Sequence, residues 1–221
     1  MWKHLRRLAP ILGGLGIAGC ASYLHSDAPP VQVYTLRAGA VSSHGAAHAH
    51  PARAASLRVA LPLAGPGLGT SQIVLLQPDH RMNVYAGSAW AADTPALLES
   101  LATKTLRASG DWSSVENADS PFPADYLLQI AIRRFDADYS AGAGAPPTVR
   151  VTLDCTLGSE SGRRILASFS VSGSAAAAAN RLSEVVAAFQ RAADQALTSM
   201  SQQAFAAVRT ARPGGADAPA R

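Results

Sequence analysis

Val149-Arg150-Val151-Thr152-Leu153-Asp154-Cys155-Thr156-Leu157 alternates apolar and polar side chains without a break. A period of two is what a strand shows when one face is buried and the other meets water, so this stretch predicts a β-strand in a sheet covered on one side. Upstream, Tyr126, Leu128, Ile130 and Ile132 carry the same period within 126–135, and downstream Ile165, Ala167, Phe169 and Val171 repeat it. A flexible segment through the 140s, ending in Pro146-Pro147, and the join from Gly158 to Gly162 separate the three runs. Together they predict an antiparallel meander.

The remaining elements are read outward from that meander. Thr94 as N-cap with Pro95 in the first turn starts a helix, since proline's missing N–H is no loss there. Leu97, Leu98, Leu101 and Leu106 recur near helical spacing, and Ser109-Gly110 is a stop signal, so this helix is expected over 95–108. A longer one is expected from about Ala175 to Val208, where Leu182, Val185, Val186, Phe189, Ala193, Ala196, Leu197 and Met200 form one stripe. Arg181, Glu184, Arg191 and Asp194 lie on its polar side, so it should rest on the sheet rather than in lipid. Before the first helix, Val31 to Leu36 reads as a strand, and Leu57, Val59, Leu61 and Leu63 alternate as another, with Pro62 marking an edge or the end of pairing. After the turn at Gly65-Pro66-Gly67, Gln72 to Leu76 and Met82 to Ala86 read as a hairpin around Gln77-Pro78-Asp79. The expected fold is α/β: a single domain over 31–208, its mixed, largely antiparallel sheet packed by two helices. Residues 37–56 read as a flexible loop rich in histidine and alanine, and 209–221 as a disordered tail.

The start of the chain follows a different pattern. Lys3, Arg6 and Arg7 precede an uncharged stretch from Leu8 to Gly19, which leads through Ile17-Ala18-Gly19 into Cys20. Twelve residues fall short of the roughly 20 that a membrane-crossing helix needs, and Pro10 with four glycines weakens a stable span further. This is the layout of an export signal, expected over 1–19. Its end resembles the lipobox of bacterial lipoproteins, which implies that Cys20 becomes the acylated first residue and the lipid anchor. Two or three acyl chains hold a protein to a membrane where one alone binds marginally. Ala21, in place of aspartate, implies sorting to the outer membrane with the body facing the periplasm. Residues 20–30, small and polar and ending in Pro29-Pro30, then form the tether.

Composition excludes several functions. Removing 1–19 takes away three of the 19 basic residues and none of the 15 acidic ones, leaving a net charge of +1. A nucleic-acid surface needs clustered basic charge, whereas Arg133-Arg134 and Arg163-Arg164 are separate pairs near acidic residues and read as solvated strand ends or turns. His44, His48 and His50 are the nearest approach to a metal-ligand set, but their Ala/Gly-rich setting supplies no rigid frame, so no metal or other cofactor is expected. There is no G-x-S-x-G elbow, His25 and His80 lie at the anchor and at a turn, and Gly65 to Gly69 lacks the lysine and hydroxyl of a phosphate loop. No catalytic residue is assigned, and an enzyme is not expected. Cys155 has no partner once Cys20 is acylated and falls on the apolar face of its strand, where it should be an inert, buried thiol. Tyr85 and Trp90 could face a partner, but they read better as staples onto the core.

With these elements placed, the chain resembles the ABC-type transport auxiliary lipoproteins, the family that includes the PqiC lipoproteins. The carriers are Cys20, Tyr34-Thr35-Leu36, Leu57-Arg58-Val59 leading into Gly65-Pro66-Gly67-Leu68, and Tyr85 and Trp90 ahead of Pro95-Ala96-Leu97-Leu98. Leu106 and Gly110, Tyr126-Leu127-Leu128 through Phe135, and the alanine-rich last helix continue the succession. The insertion around residues 44–50 and the tail depart from the family core. The resemblance implies a non-catalytic auxiliary subunit of an envelope system that moves phospholipid or another hydrophobic molecule. An MCE-domain protein is the implied direct partner, linking it to an ABC permease and ATPase, and a homo-oligomeric ring is a further implication. Two other classes stay open at this point: a structural or assembly lipoprotein of the outer membrane, and an envelope hydrolase.

Overall fold

The computed structural model describes residues 30–39, 55–160 and 164–211. Its elements follow in the order β1 (Gln32–Tyr34), β2 (Ser56–Val59), β3 (Leu63–Ala64), β4 (Gln72–Leu76), β5 (Met82–Trp90), α1 (Thr94–Ser109), β6 (Ser114–Glu116), β7 (Tyr126–Asp138), β8 (Thr148–Ser159), β9 (Arg164–Ala176) and α2 (Leu182–Ala211). All nine strands join one mixed sheet. β7, β8 and β9 form the expected antiparallel meander, with Cys155 of β8 between Ile130 and Phe169. Antiparallel pairing thus joins β7, β8 and β9 and the hairpin of β4 and β5, and the remaining pairs are parallel.

β7 is the spine. One of its edges pairs with β8 along its length, while the other is occupied in turn by β2, β3 and β4, all parallel to it. The chain steps along that edge because Pro62 interrupts pairing after β2 and a turn at Gly65-Pro66-Gly67 follows β3. Gly67 adopts a φ of 75°, and the Gly65 N–H bonds the Ile132 carbonyl at 3.0 Å. β6 extends the sheet beyond β2, and β5 followed by β1 extends it beyond β4. β3 and β6 have only two and three residues, too few to display a period.

α1 and α2 pack against each other and against the sheet. In α1, Leu97, Leu98, Leu101, Ala102 and Leu106 are buried, and Gly110 closes the helix in the left-handed conformation at φ 70°. Its N-cap is Asp93 rather than Thr94; the Thr94 hydroxyl instead donates to the Thr70 carbonyl at 2.9 Å. α2 buries Val185, Phe189, Ala192, Ala193, Ala196, Leu197, Met200 and Val208. Its alanines let it approach the sheet closely at Gly173, where an added Cβ would lie 1.9 Å from the Ala192 carbonyl oxygen. Trp90, Phe135 and Phe189 meet in one ring cluster, with centroids 5.0 to 5.9 Å apart.

Several boundaries differ from expectation. At its far end α2 runs to Ala211, into the stretch 209–221 read as a tail, and the run read as one strand over 57–63 is split into β2 and β3. α2 starts at Leu182, not near Ala175, because β9 keeps its pairing with β8 through Ala176 opposite Thr148. Long-range strand pairing there overrides the helix propensity of the alanine run. Residues 37–39, expected within a flexible loop, are tied to α2. The Arg37 N–H donates to Gln190 Oε1 at 2.9 Å, and the Gly39 N–H donates to Asp194 Oδ1 at 3.1 Å.

Candidate interaction face

Register partners in a sheet point to the same side. The face away from the helices can therefore be read row by row across β9, β8 and β7: Ser168, Thr156 and Gln129; Ser170, Asp154 and Ala131; Ser172, Thr152 and Arg134; Ser174, Arg150 and Asp136. Alternate residues of β9 thus supply four serines to one face, beside hydroxyl and charged groups from β8. A bulge in β7 between Ile132 and Arg134 turns both Arg133 and Arg134 to this side.

The charged groups are mutually paired. Arg133 Nε lies 2.5 Å from Asp154 Oδ2, and the Ser170 hydroxyl donates to the other oxygen of that carboxylate at 2.5 Å. Arg134 grips Asp136 through Nε at 3.0 Å and Nη2 at 2.8 Å, and also reaches Asp138 at 3.1 Å. Arg150 Nε donates to the same Asp138 oxygen at 3.1 Å. Both Asp136 and Asp138 side chains are only 8% exposed, so these contacts work with little water competing. Burial pushes the Asp138 carboxyl up, but the Ser140 N–H and the Arg134 guanidinium outweigh it and hold it below the usual range. The hydrogen bond from Ser170, with the Arg133 charge, likewise lowers Asp154. Hydrogen bonding to Asp136 is the main influence keeping Arg134 charged.

Such a surface offers fixed donors and acceptors with balanced charge. It suits a polar protein surface better than a phosphate, because a carboxylate stands beside each arginine. Among the described residues, no three His, Cys, Asp or Glu side chains are grouped to hold a metal ion. A cavity beside α1 is lined by Glu99, Ser100, Thr103, Lys104, Arg107 and Asn117, and Glu99 and Arg107 are already engaged with the backbone of Ala118 and Val115.

The residues singled out from sequence fall in separate places. Cys20, His25, His44, His48, His50 and Arg163 lie outside the described residues. His80 takes a φ of 64° in the β4–β5 turn. Trp90 is buried in the ring cluster, and the Tyr85 hydroxyl is 2.9 Å from that of Tyr139, which in turn donates to Asn180 at 2.7 Å; both aromatics do staple the core. Cys155 is buried on the helix side, and burial, with the nearby Asp154 charge, pushes its thiol up to about 12. Arg133 and Arg134 are a correction: they sit in mid-strand within an ion-pair network rather than at a solvated end. Sequence reading missed the face they form, although serine at 168, 170, 172 and 174 signals a continuous polar side.

The architecture is similar to that of protein XCC0632 from Xanthomonas campestris, with a TM-score of 0.70 and 23% identity over 83% of this chain and 98% of that one. A crystal structure of an uncharacterized protein is similar at TM-score 0.60 and 13% identity, covering 79% of this chain and 99% of that one. Both likenesses carry the fold. A PelC dodecamer from Paraburkholderia phytofirmans aligns at TM-score 0.41 and 18% identity, over 68% of this chain and 89% of that one, too distant to bear on assembly. No curated protein gives a match. Among the described residues, no helix is long and apolar enough to cross a membrane. The model of a protein family, however, matches residues 34–201, from the end of β1 into α2, and thus takes in β2 to β9 and α1. By that match the chain belongs to the family of ABC-type transport auxiliary lipoprotein components.

Proposed function

We propose that this protein is an outer-membrane lipoprotein, held by acylated Cys20 and facing the periplasm, that serves as a non-catalytic auxiliary subunit of an MCE/ABC system moving phospholipid between membranes. The family match over 34–201 carries the reading. The sequence adds the anchor: a basic start, a short apolar stretch and small residues before Cys20. The domain layout follows, with signal 1–19, tether 20–30 and body from 31 onward. In this reading the polar face of β7, β8 and β9 docks an MCE-domain protein. The ATPase and permease lie beyond that partner, where ATP is hydrolysed, and this chain provides tethering and a continuous path. Its fixed ion pairs would orient the partner more than they tighten binding.

Membrane fractionation of cells expressing the parent and Cys20→Ser proteins, followed by affinity purification, tests the reading. The parent is expected in the membrane fraction with an MCE-domain protein, and Cys20→Ser as a folded, released domain. A Cys20→Ser protein that stays membrane-bound would sink the anchor. A parent protein that recovers only barrel-assembly or cell-wall components would sink the transport role.

A further inference from the structure

The open face of the sheet is not uniform. Opposite the polar rows lies a half built from β1, β5, β4 and β3, and its side chains are of another kind. Tyr34 pairs with Trp90 and points with it toward the helices, so Val33, paired with Ala89, points to the open side. Leu63 joins that side as the partner of Ala131, which stands in the row of Asp154. Met82 joins it as the partner of Leu76, itself paired with Asp138. These apolar side chains are not tucked in: Val33 is 64% exposed, Leu63 66% and Met82 50%, and Val31, two residues before Val33, is 58% exposed. Residues 30–36 and 82–92 contain no Asp, Glu, Lys or Arg. The charges that border it are paired: Asp79 with Arg81 at the hairpin turn at 2.6 Å, and Asp138, beside Leu76, with Arg134 and Arg150 at 3.1 Å each.

We infer that this apolar half rests on the bilayer to which the protein is anchored, with Val31 and Val33 entering the headgroup boundary. The inference depends on the reading of Cys20 as the lipid anchor. Ten residues separate Cys20 from Val31, a reach of at most about 35 Å when fully extended. β1 is the first strand after the anchor, and it is the strand that bears the exposed valines. Lack of charge there means that no ion must shed water when the surface enters the headgroup region. The absence of lysine and arginine also makes the contact apolar rather than electrostatic, so added salt should leave it intact. With one half of the face against lipid, the polar half stays turned to water and to a protein partner.

The test places an environment-sensitive nitrobenzoxadiazole dye at Val33→Cys or, as control, at Ser172→Cys on the polar half. Each is made in the full lipidated chain, where Cys155 is buried and Cys20 is acylated. The proteins are reconstituted into phosphatidylethanolamine/phosphatidylglycerol vesicles with and without nitroxide-bearing lipids, and flotation reports anchoring. Emission at position 33 should fall by about half or more with the quencher, the depth being about 5–10 Å, and should do so equally at high salt, with position 172 unaffected. Floating protein with both positions unquenched, or both quenched alike, overturns the seat and leaves the anchor standing. Protein that fails to float removes the anchor, and the seat with it.

Discussion

Gly173→Ala puts the helix–sheet contact under direct load. The new Cβ would lie 1.9 Å from the Ala192 carbonyl oxygen and 3.0 Å from the Ala196 nitrogen, both backbone atoms that no rotamer change can move. Restoring even 3.0 Å at the carbonyl requires β9 and α2 to separate by about 1 Å, and a gap of that size forfeits a quarter to a half of the dispersion energy of the contacts it opens. Ala192, Ala193 and Ala196 are all within 1% of full burial, so the loss is spread over a sealed interface. Overpacking of this kind costs about 3 kcal/mol, which for a domain of this size lowers Tm by roughly 6–12 °C. Ser172→Ala, one residue away but on the water-facing side, should change stability by no more than about 0.5 kcal/mol. Urea unfolding followed by circular dichroism of both variants reads the difference. A Gly173→Ala protein within about 0.5 kcal/mol of the parent would refute the close approach of α2 to β9.

Asp138→Asn should lower stability at neutral pH by about 2 kcal/mol, since it removes the charge that Arg134 and Arg150 share. The folded-state pKa of Asp138 is depressed, so its contribution is full above the unfolded value of about 4 and disappears as pH falls through the lower folded value. Urea midpoints measured from pH 6 down to pH 2.5 should therefore converge for parent and variant, and a constant gap would contradict the assignment. Cys155, with its thiol pushed up to about 12 by burial, should ignore a disulfide reagent at pH 8 until the protein is unfolded; stoichiometric labelling of the native protein would show the strand pairing wrong.

The alternation at Val149–Leu157 was enough to place the central strand and its two neighbours, because period two reports a local fact, the burial of one face. The helix stripes at Leu97–Leu106 and Val185–Met200 were legible for the same reason. What stayed hidden depends on pairing between distant segments. Ala175 and Ala176 look helical in isolation and are strand because Val149 and Thr148 lie opposite. The bulge that turns Arg133 and Arg134 to one face exists only relative to Thr152 and Leu153. β3 is two residues long and is defined by its contact with Ala131 and Ile132 alone. The candidate face is intermediate: its serines are visible in the sequence, but their alignment with Asp154 and Arg150 requires the register. Cys20 is the reverse case, a reading that rests wholly on local pattern.

Site-specific photocrosslinking tests the central claim most directly. A photoreactive residue at Thr152 or Ser172, in cells expressing the chain at its native level, should capture an MCE-domain protein from intact membranes. The same residue at Gln203, on an exposed stretch of α2, should not. Capture at Gln203 and not at the sheet positions would contradict the docking face. The absence of any MCE-domain protein from all three adducts, with barrel-assembly or cell-wall components in its place, would contradict the transport role itself.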